Sequence, residues 1–336
     1  IYLSFYYQPQ GLGDKPETTD SLVLQFYNPI TDNWNVVWSE EGMSYNQFKS
    51  KYGVDFKAVM IPVLDSNYLS PNFQFRFYNI ASIANNDFPS WAGSVDHWNI
   101  DYVYLNSGRN KSDSLPTDVA FNKQINSLLE NYTSIPWDHY IIDSTANMLS
   151  EISIPYSNYS SVLVNLSERI IIKDLVGTTA EYNSGISASN LPAQTDTIFF
   201  RSPIPYSFKT DANENPSFLV KFLINTATIP DLIRSNDTMS FHQNFYNYYA
   251  YDDGIPEAGY ALVGDGSQLA YSFDLKKTDT LRSVQFQFNK VYNNTNEDLY
   301  FNLRIWNDNN GNPGSLIYEE TNLKPIVNNL YGYETY

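Results

Sequence analysis

Side chains able to do chemistry are few and scattered. The three histidines, His97, His139 and His242, stand far apart, and none lies in an HExxH, GxSxG or Ser/His/Asp arrangement. Each imidazole therefore reads as a structural group, His97 beside Trp98 in a strand and His139 beside Trp137. Cysteine is absent, which removes disulfides, thiolate catalysis and Cys-ligated zinc together. Carboxylates are abundant, and a glycosidase needs two of them fixed across a cleft. Asp252-Asp253 and Glu40-Glu41 fall in expected turns as solvated acids, while Glu168, Asp174 and Glu181 have no motif around them.

Hard oxygen ligands crowd two places, the turn Asp308-Asn-Asn-Gly-Asn312 and the surroundings of Asp96 and Asp101. That chemistry suits structural calcium. The EF-hand pattern is missing, and Asn-Gly and Asp-Asn turns give the same letters for conformational reasons alone. Trp34, Trp38, Trp91 and Trp306 in or near loops could stack on sugar rings or mark a protein interface. A tripeptide of Asp, then Ser or Thr, then an apolar residue or Thr recurs, with hydroxyls at Ser21, Ser114, Ser144, Thr197, Thr238 and Thr280. Such Asp-Ser and Asp-Thr pairs either open strands after turns or serve as modification acceptors.

The elements that must position these groups read as strands. Phe73, Phe75 and Phe77 alternate with Gln74 and Arg76, and Asp96-His-Trp-Asn-Ile-Asp-Tyr-Val-Tyr-Leu105 alternates in the same way, so the two segments suit strands of facing sheets. Residues 1–115 also offer Ile1 to Tyr7, Ser21 to Tyr27, Trp34 to Trp38 and Phe56 to Val63, separated by Gly, Pro and Asp turns, at a spacing that suits a jelly roll. Over 116–150 the pattern lapses. Ile125, Leu128, Leu129 and Tyr132 share a helical face, so a linker with a short helix is expected, broken by Pro136. Residues 151–244 carry strands at Ile152 to Pro155, Ser161 to Leu166, Arg169 to Leu175, Ile198 to Ser202 and Phe218 to Ile224, an immunoglobulin-like set. Residues 245–336 carry Gln268 to Leu275, Leu281 to Phe288 and Leu299 to Trp306, a second jelly-roll-like set with Val284, Phe286 and Phe288 inward. Ile1 already sits in a strand and too few strands follow Trp306, so both ends are expected to be incomplete.

The expected fold class is all-β, with about two or three consecutive β-sandwich domains of jelly-roll and immunoglobulin-like type, a count that 336 residues can supply. Tyr at 28 and Phe at 20 give the aromatic content that short strands favour. A net charge of −17 argues against nucleic acid and against an anionic membrane surface. No run of about 18 apolar residues exists to span a membrane by helix.

Leu3-Ser-Phe-Tyr-Tyr7, Asp20-Ser-Leu-Val-Leu-Gln-Phe-Tyr27, Trp34-Asn-Val-Val-Trp38, Phe73-Gln-Phe-Arg-Phe77 and the Asp96 to Leu105 segment together resemble the MAM-like, lectin-like jelly roll, without the cysteines of its animal forms. Tyr7-Gln-Pro-Gln-Gly-Leu-Gly-Asp14 and Tyr251-Asp-Asp-Gly-Ile-Pro-Glu-Ala-Gly-Tyr260 resemble segments of exported Bacteroidota proteins handled by the type IX secretion system, as cargo or as a Plug-like accessory. The Asp-Ser/Thr tripeptide is similar to the O-glycosylation acceptor of the same phylum. The resemblance implies an extracytoplasmic address in the periplasm, at the outer membrane or on the cell surface. It also implies a non-enzymatic role in the cell envelope or in protein transport, a protein partner, and no cofactor beyond structural calcium. It transfers no catalytic residue. A carbohydrate-binding surface protein is the alternative.

Overall fold

A computed structural model of the chain describes residues 1–11, 13–82, 96–113, 116–212, 215–226, 233–255, 262, 264, 266–288, 298–327 and 332–336. Trp91 and Ser114 lie outside the described residues. The protein is all-β, built of small antiparallel sheets with short helices at connections. No helix among the described residues is long and apolar enough to cross a membrane.

Strands β1 (Tyr2–Pro9), β2 (Ser21–Asn28), β3 (Asn33–Glu41), β4 (Lys57–Pro62), β5 (Gln74–Ile80) and β6 (Trp98–Asn106) lie close to the spans that alternation predicts. They pair as two antiparallel sheets, β4-β1-β6 and β3-β2-β5. Successive side chains of a strand point to opposite faces, so Leu3, Phe5 and Tyr7 of β1 and Leu22, Leu24 and Phe26 of β2 enter one shared core. Rings from the two sheets meet edge-on there, Phe5 lying 4.8 Å from Phe77 and 5.1 Å from Trp38. Trp38 is thus a core residue.

Two features depart from simple alternation. A bulge between Ser4 and Tyr6 shifts the β1–β6 register, and Tyr102 takes a φ of +50°. One extra residue reverses the facing of the rest of the strand. Trp98 and Ile100 stay against the core, while the Tyr102 ring packs between Tyr6 and Tyr159. Helix α1 (Tyr45–Tyr52) is not expected from the apolar pattern, which is short and polar there. Its ends carry the signal instead: Ser44 and Gln47 form a reciprocal capping box, and Gly53 closes it at φ +73°.

The second core gathers β7 (Val119–Phe121), β8 (Ile152–Asn158), β9 (Val164–Asp174), β10 (Tyr182–Asn183), β11 (Ser187–Leu191), β12 (Thr195–Arg201), β13 (Ser217–Thr226) and β14 (Thr238–Asn244). One sheet runs β12-β8-β7, and the other runs β10-β9-β13-β14 with β11 also on β9. The two strands expected at Ser161 to Leu166 and Arg169 to Leu175 are one strand, β9. Alternation runs through Glu168 because its carboxylate is satisfied where it points inward, by the Tyr156 hydroxyl at 2.7 Å and Arg201 Nη1 at 3.1 Å.

The short helix expected in 116–150 is present, but as α2 (Trp137–Tyr140), not over residues 125–132. Pro136 precedes it at φ −57° and starts the helix it was expected to break. Gln243, fully buried, explains the missing helix: its Oε1 accepts from the Leu128 amide at 3.0 Å and its Nε2 donates to the Thr133 carbonyl at 2.8 Å. Leu128, Leu129, Tyr132 and Ile135 consequently belong to the second core, so the stretch is not a bare linker.

After Phe245 the described strands are β15 (Gln285–Phe286), β16 (Phe301–Asp308), β17 (Pro313–Leu323) and β18 (Glu334–Thr335), in two pairs. Phe286 and Phe288 meet Phe301 and Tyr336 in one ring cluster. The strand expected at Gln268 to Leu275 is not formed. Tyrosine hydroxyls occupy its backbone instead: Asp274 N donates to Tyr132 at 2.7 Å, Lys276 N donates to Tyr249 at 2.9 Å, and Tyr251 donates to Ser272 O at 2.5 Å.

Phe5→Ala is expected to lower stability by about 3–5 kcal/mol in urea unfolding, against about 0.5 kcal/mol or less for Ile198→Ala on the exposed side of β12. Equal losses would contradict the shared core. Tyr132→Phe should expose residues 266–284 to limited proteolysis and leave β9 and β13 protected; an unchanged cleavage map would contradict the hydroxyl anchoring.

Candidate functional site

Two features of the first core stand out, a carboxylate pocket at its edge and an exposed sheet face. The pocket begins in the loop between β1 and β2. Glu17 N donates to Asp20 Oδ2 at 2.8 Å and Asp20 N to the Glu17 carbonyl at 3.0 Å, so each holds the other's backbone. Gly42 N, just past β3, donates to the Asp20 carbonyl at 2.9 Å. The loop lies so close that a Cβ on Gly42 would sit 1.8 Å from the Glu17 carbonyl oxygen, which only glycine allows. From the other side Ser82 Oγ donates to Asp20 Oδ2 at 3.1 Å and Ser82 N to Asp96 Oδ2 at 2.9 Å. Asp96, at φ +49°, turns its side chain inward just before β6.

One oxygen each from Glu17, Asp20 and Asp96 lies within 4.8 Å of the others. Asp96 is 0% exposed and Asp20 is 2% exposed. Asp96 Oδ1, Glu17 Oε2 and the neighbouring Asp14 Oδ2 are buried and accept no hydrogen bond. Among the described residues, none of the ion pairs involves these acids. Burial, with Asp20 and Asp96 close by, pushes the Glu17 carboxyl above the ordinary range. Burial also raises Asp96, opposed by the Ser82 amide and by the Glu17 carboxyl beside it and helped by the charges of Asp20 and Asp14.

Three other inward acids meet protein donors, although Asp174 Oδ2 is itself buried without a hydrogen bond. Glu40 lies in β3, not in a solvated turn, and accepts from Tyr7 at 2.8 Å, Tyr52 at 2.7 Å and Lys51 at 3.0 Å. Burial acts to raise its carboxyl, but these donors outweigh it and hold the group below the ordinary range. Asp118 receives Tyr102 and Asn236. Asp174 accepts from the amides of Val176 and Gly177 in a turn.

The exposed face belongs to the β3-β2-β5 sheet. Residues of β2 that alternate with its core positions pair there with Trp34 and Val36 of β3 and with Arg76, Tyr78 and Ile80 of β5. The Arg76 guanidinium sits 4.2 Å from the Trp34 ring and donates to Gln25 at 2.8 Å, while Tyr27 packs 5.4 Å from Trp34. Val36 is 60% exposed, Tyr78 44% and Ile80 41%.

The remaining candidates divide cleanly. Asp96 joins the pocket, whereas Asp101 is exposed on β6 and accepts from the Tyr102 amide at 2.7 Å. Asp308 accepts from Gly311 N at 2.9 Å in the β16–β17 turn, a conformational role. His97 faces Asn99 Oδ1 at 3.1 Å, His242 is exposed on β14, and His139 is buried with Nδ1 2.6 Å from the Tyr249 hydroxyl and Nε2 3.3 Å from Asp279. Thr238 and Thr280 are exposed, and Ser21, Ser144 and Thr197 are half-buried. The aspartates before several of them hold turns or neighbours: Asp143 accepts from Ala146 N, Asp279 from Thr280 N, and Asp196 from Ser157 Oγ. Trp306 is half-buried in β16. Sequence reasoning misses Glu17 and Asp20, although Asp14, Glu17 and Asp20 recur at every third position of a loop opening a strand.

No protein-family model matches the chain, and no curated protein matches it in sequence.

Because Glu40 is depressed in the folded state, its contribution is present above the unfolded carboxylate value of about 4.3. It is lost as pH falls through the folded value. Between about pH 5 and pH 3 the wild type should lose more urea stability than Glu40→Gln; parallel acid curves would contradict the Tyr7–Glu40–Tyr52 arrangement.

Proposed function

We propose that the chain is a non-catalytic binding protein that acts outside the cytoplasm, its N-terminal part a jelly-roll β-sandwich and its middle part a second, immunoglobulin-like sandwich. The observation that carries this reading is the outer face of β3-β2-β5. Apolar side chains on a rigid sheet ordinarily turn inward, yet Val36, Tyr78 and Ile80 are exposed on the face that carries Trp34 and Arg76, while Val23 opposite Tyr78 is buried. Trp, Tyr and Arg are the residue types that dominate binding energy at protein interfaces. Pre-ordering by Tyr27 and Gln25 lowers the entropy lost when a partner arrives. Likeness to exported Bacteroidota proteins makes an envelope component of type IX secretion the first partner to test.

A carbohydrate is the second reading, favoured by the placing of Trp34 beside the planar polar groups of Gln25 and Arg76. Stacking plus planar hydrogen bonding suits a sugar ring.

A photo-crosslinking side chain placed at Val36 or Tyr78, in envelope preparations of the source organism, is expected to give one dominant protein adduct. The same probe at Val162, exposed on the second core, should not. Identical adduct patterns at all three positions would overturn the protein reading. Glycan-array binding lost in Trp34→Ala, with no protein adduct, would favour the carbohydrate.

A further inference from the structure

We propose that Glu17, Asp20 and Asp96 form a Ca²⁺ site that ties the β1–β2 loop to the start of β6. Three observations carry it. First, the acids come from parts of the chain that meet only in the fold, and one oxygen of each lies within 4.8 Å of the others. Calcium–oxygen distances of about 2.3–2.6 Å put ligands on opposite sides of one ion about that far apart. Second, Asp96 is wholly buried, and its Oδ1 and Glu17 Oε2 have no hydrogen-bond donor. An ionised carboxylate in that position is costly unless a positive charge reaches it. Third, two of the three carboxylates are already oriented: Asp20 Oδ2 accepts from Glu17 N and Ser82 Oγ, and Asp96 Oδ2 accepts from Ser82 N.

The donor set selects the ion. Only oxygens are offered, which suits a hard cation and disfavours zinc or copper. Carboxylates on a loop and a strand end suit the larger, geometrically tolerant Ca²⁺ better than Mg²⁺, which demands near-octahedral ligands and keeps its waters. Asp14, whose Oδ2 is also buried without a donor, adds negative charge nearby. The assignment separates Asp96 from Asp101 and from the Asp308 turn, which take no part.

The test uses the full chain after chelator treatment, titrated with CaCl2 and read by isothermal titration calorimetry and by thermal unfolding. The expected result is saturable binding of one Ca²⁺ per chain, with an affinity on the order of 10⁻⁴–10⁻³ M or tighter. The unfolding midpoint should rise with Ca²⁺ and much less with Mg²⁺. Asp96→Asn should weaken binding more than about tenfold yet, without metal, unfold at or above the wild-type temperature because a buried charge is gone. Glu17→Gln supplies the same readout should Asp96→Asn not fold. Asp101→Asn and Asp308→Asn should keep the full shift. Absence of a saturable Ca²⁺ shift in the wild type, or a full shift in both Asp96→Asn and Glu17→Gln, would overturn the site.

Discussion

A hydrogen bond from a tyrosine hydroxyl to a buried polar group is the interaction on which the rest of this structure depends. The chain carries 37 acidic side chains against 20 lysines and arginines, so cations cannot neutralise every acid the fold draws inward. Tyrosine, present 28 times, can do two jobs at once. Its ring joins the core and its hydroxyl meets a carboxylate at the rim. Tyr7 does so with Glu40 and Tyr156 with Glu168, and Tyr102 reaches Asp118 between the first and second cores. Without disulfides, these polar contacts at the edges of aromatic cores fix which sheet faces which.

The same device extends past Phe245. The Tyr132 ring meets Tyr249 edge-on and Tyr251 at a tilt, and the three hydroxyls bind backbone groups of residues 272–276, where a neighbouring strand would ordinarily sit. Rings and hydroxyls thus replace a ladder. Against that background Glu17, Asp20 and Asp96 stand apart among the described residues as three acids gathered in one place, with oxygens of Glu17 and Asp96 left without donors. The trio lies at the end of β3 and the start of β6, so whatever neutralises it also braces both sheets of the first core.

Much of the first core is legible because long runs of its strands alternate, the bulges in β6 and β3 apart. Phe73, Phe75 and Phe77 announce one face, and the opposite face is set by the period of two. What alternation could not show was side-chain chemistry that overrides it. Glu168 hides within β9 because Tyr156 and Arg201, distant in sequence, satisfy it. The helical spacing of Ile125, Leu128, Leu129 and Tyr132 misled because Gln243 claims the backbone groups a helix would use. Only Asp96 of the pocket was legible in advance, since partners contributed by a separate loop become neighbours only when β1, β2 and β6 are in place.

Calcium-edge anomalous scattering from crystals grown with Ca²⁺ examines most directly the idea that tyrosine hydroxyls hydrogen-bond inward acids where they reach and a bound cation serves the trio where they do not. The account predicts one peak about 2.3–2.6 Å from oxygens of Glu17, Asp20 and Asp96, and none at Glu40, Glu168 or Asp118. An empty trio with Asp96 and Glu17 sharing a proton, or peaks at the tyrosine-bound acids, would contradict it.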